Sequence, residues 1–324
     1  MKNIAVVAGG NSGEYSVSLK SQAALISFLS PVKEYRLFPV LIERDGWRVT
    51  VDGEVCEVDK NDFSFTGKAG EKVKFDYCYM TIHGTPGEDG LFLGYLETMG
   101  IPFSSCSALV SALTFNKAFC NRYLSSFGIP VSRGLTVRRE EPLTEEEILA
   151  QLTLPLFVKP NCGGSSIATH KVERPEELRA ALDSAFTAGE EVLVERMLIG
   201  TEVTCGCYED AAGLHALPVT EVVPKNTFFD FDAKYNGASD EITPARISQA
   251  LFDLVQERTK EVYRCLGAKG IIRVDYIIEN GEPVLLEVNT TPGMTAASFI
   301  PQQVRAAGLL ITEVLRGIID KTAG

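Results

Sequence analysis

The sequence predicts a soluble α/β protein of two or three domains, and three observations carry that expectation. The chain has 324 residues, enough for more than one proper core. Its apolar and charged fractions, 45% and 23%, are those of an ordinary globular protein. Its first residues, MKNIAVVAGG, carry one positive charge and a short apolar run that stops at Gly-Gly. That pattern predicts a buried strand turning into a helix, not a secretory signal. No apolar stretch is long enough to span a membrane. A net charge of -12 argues against a general nucleic-acid surface, but a nucleotide is compatible with it where Lys and Arg gather locally. The eight Cys include no C-x-x-C pair, and the three His are scattered. Reduced, mostly buried thiols of a cytosolic protein are expected, with no structural zinc.

In chain order, residues 4–8 predict the first strand and residues 15–27 a helix. The intervening Gly9, Gly10 and Gly13 do not have the G-x-G-x-x-G spacing of a dinucleotide turn. Asn11 to Glu14 fits a capping box, and local sequence favours it. The functional alternative puts Glu14 in the strand-to-helix crevice, where its carboxylate could hold an ammonium. Residues 35–40 and 46–51 read as strands, and 61–74 as a polar loop. A strand at 76–82 ends in HGTPGEDG, where His83, Glu88 and Asp89 crowd a loop at the sheet's C-terminal edge. A helix follows at 91–99, and 101–105 leads out of the first domain. Residues 107–127 predict one long helix, with Gly128 past its end and Pro130 as the stop. Lys117 lies within it and, on a solvated face, needs no special explanation.

A strand is expected at 135–137 and an acidic helix start at 140–147. The strand at 156–159 ends in Lys159 and feeds PNCGGSSIA. Its Gly163-Gly164-Ser165-Ser166 offers backbone N–H groups that can fold over phosphates. It is not a Walker A loop, because the Lys precedes the glycines. A helix is expected at 175–188. The strand at 191–195 runs into Glu195-Arg196-Met197-Leu198, a hinge of backbone groups with apolar flanks suited to an adenine edge. Glu202 is placed to accept from ribose hydroxyls. A strand at 217–224 precedes the irregular segment 225–244. The aromatics Phe228, Phe229, Phe231 and Tyr235 suggest a packed lid there, with Lys234 at its tip within reach of a phosphate. Helices are expected at 248–266 and, closing the chain, at 302–319.

The stretch 271–299 is the most informative. Two short strands flank Asn280-Gly281. Strand side chains alternate with a period of two, so Arg273 and Asp275 share one face of their strand, and Leu285, Glu287 and Asn289 likewise share one face of theirs. Two carboxylates and an amide oxygen are hard ligands suited to Mg²⁺ that also holds phosphate oxygens. A two-residue Asn-Gly turn, the default, would set Asp275 opposite Leu286 and split the carboxylates between faces. A three-residue loop with Gly281 left-handed is therefore expected.

Together these motifs resemble the ATP-grasp superfamily, and within it the D-alanine–D-alanine ligase family. GGNSGEYSVSLKS, HGTPGEDG, KPNCGGSSIA, DFDAKY, GIIRVDY and LLEVNTTPGMT carry the resemblance from residue 9 to residue 298. It implies α/β and α+β folding in three domains: an N-terminal parallel-sheet α/β domain at 1–105, a central domain at 106–195, and a C-terminal domain at 196–324. ATP would lie between the last two. The implied reaction forms an acyl phosphate from one D-alanine and ATP, which the amine of a second D-alanine captures. The resemblance implies that Asp275, Glu287 and Asn289 hold two Mg²⁺, with Mn²⁺ able to substitute. It adds Lys117, Lys159, Lys234, Ser165 and Ser166 at the phosphates, and Arg273 with the Gly293 N–H at the oxyanion. Glu14 would grip the first ammonium, His83 would lie near its carboxylate, and Ser298 would bind the second carboxylate. Ser165 and Tyr235 would close the lid over Glu14. Tyr235, which D-lactate-using relatives tend to lack, points to a dipeptide product. A homodimer in the cytoplasm is implied by analogy. Two departures stand out. Ala168 replaces the usual Gly at the phosphate loop's end, so a different loop exit is expected. Thr291 stands where Ser is common and keeps the hydroxyl.

Overall fold

A computed structural model describes residues 1–164, 167–224 and 239–323. The first sheet contains β1 (Lys2–Gly9), β2 (Tyr35–Ile42), β3 (Trp47–Val51), β4 (Glu54–Asp59), β5 (Ser64–Thr66), β6 (Lys72–Lys74) and β7 (Tyr77–Met80), in the order β6-β5-β4-β3-β2-β1-β7. β1 runs parallel to both β2 and β7, as an α/β unit requires. The strands beyond β2 form an antiparallel extension. Alternation along β1 feeds two cores. Ile4 and Val6 meet Leu25 and Leu29 of α1 (Tyr15–Leu29), while Ala5 and Val7 meet Phe92, Leu93 and Leu96 of α2 (Leu91–Thr98). The expected polar loop at 61–74 is instead the site of β5 and β6. Phe63 and Phe65 are buried and pack with Phe75 at ring-centroid distances of 5.0 and 5.7 Å. Two buried aromatics outweigh the polar composition around them.

The predicted single helix at 107–127 is two: α3 (Ala108–Phe115) and α4 (Lys117–Ser125). Asn116 breaks it with φ -88 and ψ 98, and its side chain accepts from the Phe119 N–H. An Asn that competes for backbone N–H groups favours a cap over a helix interior. Gly128 follows with φ 82, as expected past a helix end. The second sheet holds β8 (Gly134–Arg138), β9 (Leu156–Pro160), β10 (His170–Val172) and β11 (Glu191–Arg196) in the order β10-β9-β11-β8. α5 (Glu145–Leu149), with a Thr144–Glu147 capping box, and α6 (Leu178–Ala185) cover it through Ile148, Leu178 and Leu182.

The third sheet holds β12 (Thr201–Asp210), β13 (Gly213–Ala216), β14 (Thr220–Pro224), β15 (Ser239–Ile242), β16 (Ile271–Glu279) and β17 (Glu282–Asn289). Its order is β15-β14-β12-β16-β17, with β13 paired to β12. Residues 225–238 of the expected lid, with Lys234, Tyr235 and the three Phe, lie outside the described residues; 239–242 of it are strand. α7 (Gln249–Leu266) packs Val255, Val262 and Leu266 on this sheet. The predicted closing helix is also two, α8 (Phe299–Ala306) and α9 (Ile311–Thr322), separated where Gly308 takes φ 71. Val314, Leu315, Ile318 and Ile319 of α9 share a core with Ile4, Val6, Leu25 and Leu29. That packing fixes the first sheet against the third, and the crevice between them is where the polar motifs meet.

Candidate active site

The β16–β17 hairpin has the two-residue turn that was not expected. Glu279 pairs with Glu282, and Asn280 and Gly281 between them take φ 54 and 84. Gly281 is left-handed as expected, but the loop is one residue shorter. The carboxylates nevertheless share a face, because the register shifts between Asp275 and Tyr276. Tyr276 pairs with Leu285, while Asp275 pairs with Glu287 and Arg273 with Asn289. Leu286 is the extra residue of a β-bulge, a device that re-aims side chains beside functional sites. The shift also corrects the expected faces. Leu285 joins the core with Tyr276, and Val284 falls opposite Ile277.

Asp275 is buried and held three ways. Arg273 donates from Nε to Oδ1 at 2.8 Å and from Nη2 to Oδ2 at 2.7 Å. Thr204 Oγ1, opposite on β12, donates to Oδ1 at 2.5 Å. The Arg273 guanidinium also lies 4.0 Å from Glu287 and over the Phe299 ring. Asn289 Oδ1 accepts the Thr291 N–H at 2.9 Å. Among the described residues no three His, Cys, Asp or Glu side chains converge as a metal cage. The set is two carboxylates and an amide oxygen. That donor chemistry fits Mg²⁺, which keeps other positions for water and substrate phosphates.

A cavity of about 790 Å³ opens beside this face. Such a volume suits a nucleotide-sized ligand. Lys117, Lys159, Glu195, Arg196, Leu198, Glu202, Asp275 and Glu287 all line it, from elements spread over the second and third sheets. Lys159 Nζ and Glu195 Oε2 form a buried pair at 2.6 Å, and Asn121 Nδ2 donates to Glu195 Oε1 at 2.9 Å. Lys117, freed from a helix interior by the break at Asn116, donates from Nζ to the Gly163 carbonyl at 2.5 Å. Arg196 makes a two-pronged bond to Glu279, and the Ile199 N–H donates to the same carboxylate at 2.9 Å. The segment 196–199 is thereby stapled to the hairpin.

A smaller cavity of about 90 Å³ adjoins it, lined by Glu14, His83, Glu88, Arg273, Glu287 and Asn289 among others. The capping box expected at Asn11–Glu14 does not form. α1 begins at Tyr15, Glu14 makes no side-chain cap, and Ser12 Oγ accepts the Glu14 N–H instead. Ser12 Oγ also donates to the His83 carbonyl at 2.7 Å, which joins the two loops beside Glu14. A Cβ on Gly164 would lie 2.8 Å from Glu14 Oε2, so the carboxylate sits close against that backbone. His83 is buried, with Nε2 3.4 Å from Ser21 Oγ. Burial pushes its imidazole below the usual range, and Arg273 adds to that while Glu14 opposes it. Glu88 accepts the Gly84 N–H at 2.7 Å. Its carboxyl keeps some surface open to the cavity, yet crowding by protein atoms, helped by Glu14 and Glu287, pushes it up to about 8. Ser298 Oγ accepts the Thr295 N–H at 3.1 Å, and a Cβ on Gly293 would lie 3.0 Å from that oxygen, so the two expected residues are neighbours. Ser165 and Ser166, like Lys234 and Tyr235, lie outside the described residues.

With this geometry in place, sequence comparison decides the family. The family model described as D-ala D-ala ligase N-terminus matches residues 3–106, and the one described as D-ala D-ala ligase C-terminus matches residues 123–320. The chain belongs to the D-alanine–D-alanine ligase family. A D-alanine–D-alanine ligase from Porphyromonas gingivalis is 58% identical over 320 residues, which are 98% of this chain and 96% of that protein. The VanG D-Ala:D-Ser ligase from Enterococcus faecalis superposes with a TM-score of 0.86 at 33% identity, covering 98% of both chains. A D-alanine–D-alanine ligase from Bacillus anthracis complexed with ATP superposes with a TM-score of 0.77 at 28% identity, covering 100% of this chain and 97% of that one. The ATP-grasp architecture expected from the motifs is therefore the fold.

Sequence reading missed Thr204, Asn121 and Asn161, whose contacts come from other strands and helices and leave no local signal. Glu88 had one, since HGTPGEDG crowds a strand end. The expected change at the loop exit is also corrected. Ala168 takes φ 53, so the left-handed turn survives without glycine. Such a conformation costs a non-glycine residue about 1–2 kcal/mol.

Proposed function

We infer that the chain is an ATP-dependent ligase joining two D-alanine molecules into D-alanyl-D-alanine for peptidoglycan precursor synthesis. One observation carries this reading. The large and small cavities share Glu14, Lys117, Gly163, Gly164 and Glu287 in their walls. A phosphoryl group leaving a nucleotide in the larger space can meet a carboxylate in the smaller one without crossing bulk water. The first D-alanine's carboxylate attacks the γ-phosphorus, the bond to ADP breaks, and an acyl phosphate forms. The second D-alanine's amine attacks the acyl carbon and gives up a proton. Inorganic phosphate then departs. No side chain acts as a covalent nucleophile; holding the reactants together in a dry site supplies most of the effect.

In this reading Glu14 holds the first ammonium and His83 lies near its carboxylate. Lys117 and Lys159 serve the phosphates, together with Lys234, Ser165 and Ser166. Glu195, Arg196 and Leu198 serve adenine, and Glu202 the ribose. Arg273 and the Gly293 N–H face the developing oxyanion, Ser298 takes the second carboxylate, and Ser165 and Tyr235 close over Glu14. Asp275, Glu287 and Asn289 would hold two Mg²⁺, or Mn²⁺ in its place, which neutralise phosphate charge when bound.

The three-part division at 1–105, 106–195 and 196–324 belongs to the same reading and is supported by the three separate sheets. A cytoplasmic homodimer completes it. All eight cysteines are free, as a reducing compartment favours. No helix of the described residues is long and apolar enough to cross a membrane. Leu109, Phe119, Tyr123 and Phe127 expose apolar surface around α3 and α4, which supports a subunit contact. Phosphate release from Mg-ATP, with D-alanine alone and with D-alanine plus D-serine, tests the activity. Equal yields of D-alanyl-D-alanine, ADP and phosphate, with the product identified by mass, are expected. No turnover with D-alanine alone would overturn the reading.

A further inference from the structure

Asn161 is fully buried at the end of β9, and it lines neither cavity. Its side chain is nonetheless committed on every side. Oδ1 accepts the Ala118 N–H at 2.9 Å. Nδ2 donates to Asn116 Oδ1 at 3.0 Å and to Glu191 Oε2 at 2.8 Å. Its backbone carbonyl accepts the Lys117 N–H at 3.1 Å, and its own N–H donates to the Glu191 carbonyl at 2.9 Å.

The first four N–H groups of a helix have no partner within it. In α4 two of them, from Lys117 and Ala118, go to Asn161, a third, from Phe119, goes to the Asn116 side chain, and the N–H of Asn116 itself goes to the Ala112 carbonyl of α3. The start of α4 is therefore set jointly by its own cap, Asn116, and by Asn161 at the end of β9. Lys117 is the first residue of that helix, and its ammonium reaches the Gly163 carbonyl, two residues past Asn161. One turn on, Asn121 orients Glu195 against Lys159. The helix start, with Lys117, is thus hydrogen-bonded to Asn161 and to the Gly163 carbonyl, and Asn121 one turn along α4 extends the connection to Lys159 through Glu195.

We propose that Asn161 is a positioning residue for nucleotide binding, locking α4 and Lys117 in register with the phosphate loop. The proposal rests on the reading above, in which Lys117 meets the phosphates. A purely structural Asn161 would lower stability and leave the folded enzyme's constants alone. A positioning Asn161 changes the KM for ATP selectively.

The test compares wild type with Asn161→Ala, Asn116→Ala, Asn116→Ser and the double Ala variant. Each is measured for KM of ATP, KM of D-alanine and kcat, with the folded fraction taken from thermal melts. Asn161→Ala should raise the KM for ATP about tenfold while that for D-alanine stays within twofold. Asn116→Ala should raise it in the same direction, and the double variant should lose less than the product of the two. Asn116→Ser, which keeps a neutral capping oxygen and sets no second carboxylate against Glu191, should recover part of the Asn116→Ala loss. If Asn161→Ala does not fold, the Asn116 pair decides. An unchanged KM for ATP in folded Asn161→Ala, or in Asn116→Ala where only that folds, overturns the proposal while the ligase reading stands. A wild-type protein that neither binds nor turns over Mg-ATP overturns both.

Discussion

Thr204→Val removes one hydroxyl and little else. Thr204 is buried on β12, and Val has nearly the same shape and suits a strand. The lost bond is the 2.5 Å donation to Asp275 Oδ1. A hydrogen bond to a charged group contributes about 1.5–3 kcal/mol. Arg273 still makes two bonds to the same carboxylate, so the lower end, about 1.5 kcal/mol, applies. That corresponds to roughly tenfold in a binding constant. Removing a partner that orients a metal ligand also costs about 10–100-fold in metal affinity. The expected outcome is a half-saturating Mg²⁺ concentration raised about tenfold, with kcat largely recovered at high Mg²⁺. The assay is phosphate release at fixed ATP and D-alanine across a Mg²⁺ titration, alongside urea unfolding. A variant that is less stable but keeps the wild-type Mg²⁺ dependence would remove Asp275 from the metal site. One unchanged in both would refute the hydrogen bond's contribution altogether.

Three further outcomes are expected. Glu88 releases its proton near 4.5 when unfolded and about 8 when folded, so between those values the native state holds a proton that the unfolded state has lost. Stability of the magnesium- and nucleotide-free protein should therefore fall as pH rises through that window, by about 2–3 kcal/mol given the carboxyl's residual contact with water. Glu88→Gln should flatten that slope in urea unfolding at pH 5.5 and 7.5, and parallel slopes would refute the cause. Ala168→Gly relieves left-handed strain of about 1–2 kcal/mol but loosens the unfolded chain by about 0.4–1 kcal/mol, leaving a net gain of between zero and about 1.6 kcal/mol. A loss of stability in denaturant titration would contradict the φ of 53. Glu195→Gln strands the buried Lys159 ammonium and should destabilise by about 3 kcal/mol, checked by the same titration; a change under about 0.5 kcal/mol would show that the pair does not form.

The face that carries Asp275 and Glu287 shows how far local pattern reaches. Alternation is a property of one strand, so the identities of Arg273, Asp275, Glu287 and Asn289 were legible from spacing alone. Register belongs to a pair of strands, and here the turn and the face gave conflicting demands. The bulge at Leu286 resolves them, because packing Leu285 against Tyr276 and the core outweighs a regular ladder. The break at Asn116 is similar. Its apolar periodicity reads as one helix, and the partner that ends it comes from Asn161, 45 positions later.

The sequence alone determined the fold class and the family, and it named most of the polar side chains that line the two cavities, since these rest on short spacings and on motifs whose chemistry is local. The tertiary structure decided which of those side chains face one another. It chose Arg273 and Thr204 as partners of Asp275, placed Glu14 against Gly164 instead of in a helix cap, and let Ala168 hold a glycine's conformation. Each of these depends on contacts between segments far apart in the chain, where burial and hydrogen bonding outweigh local preference.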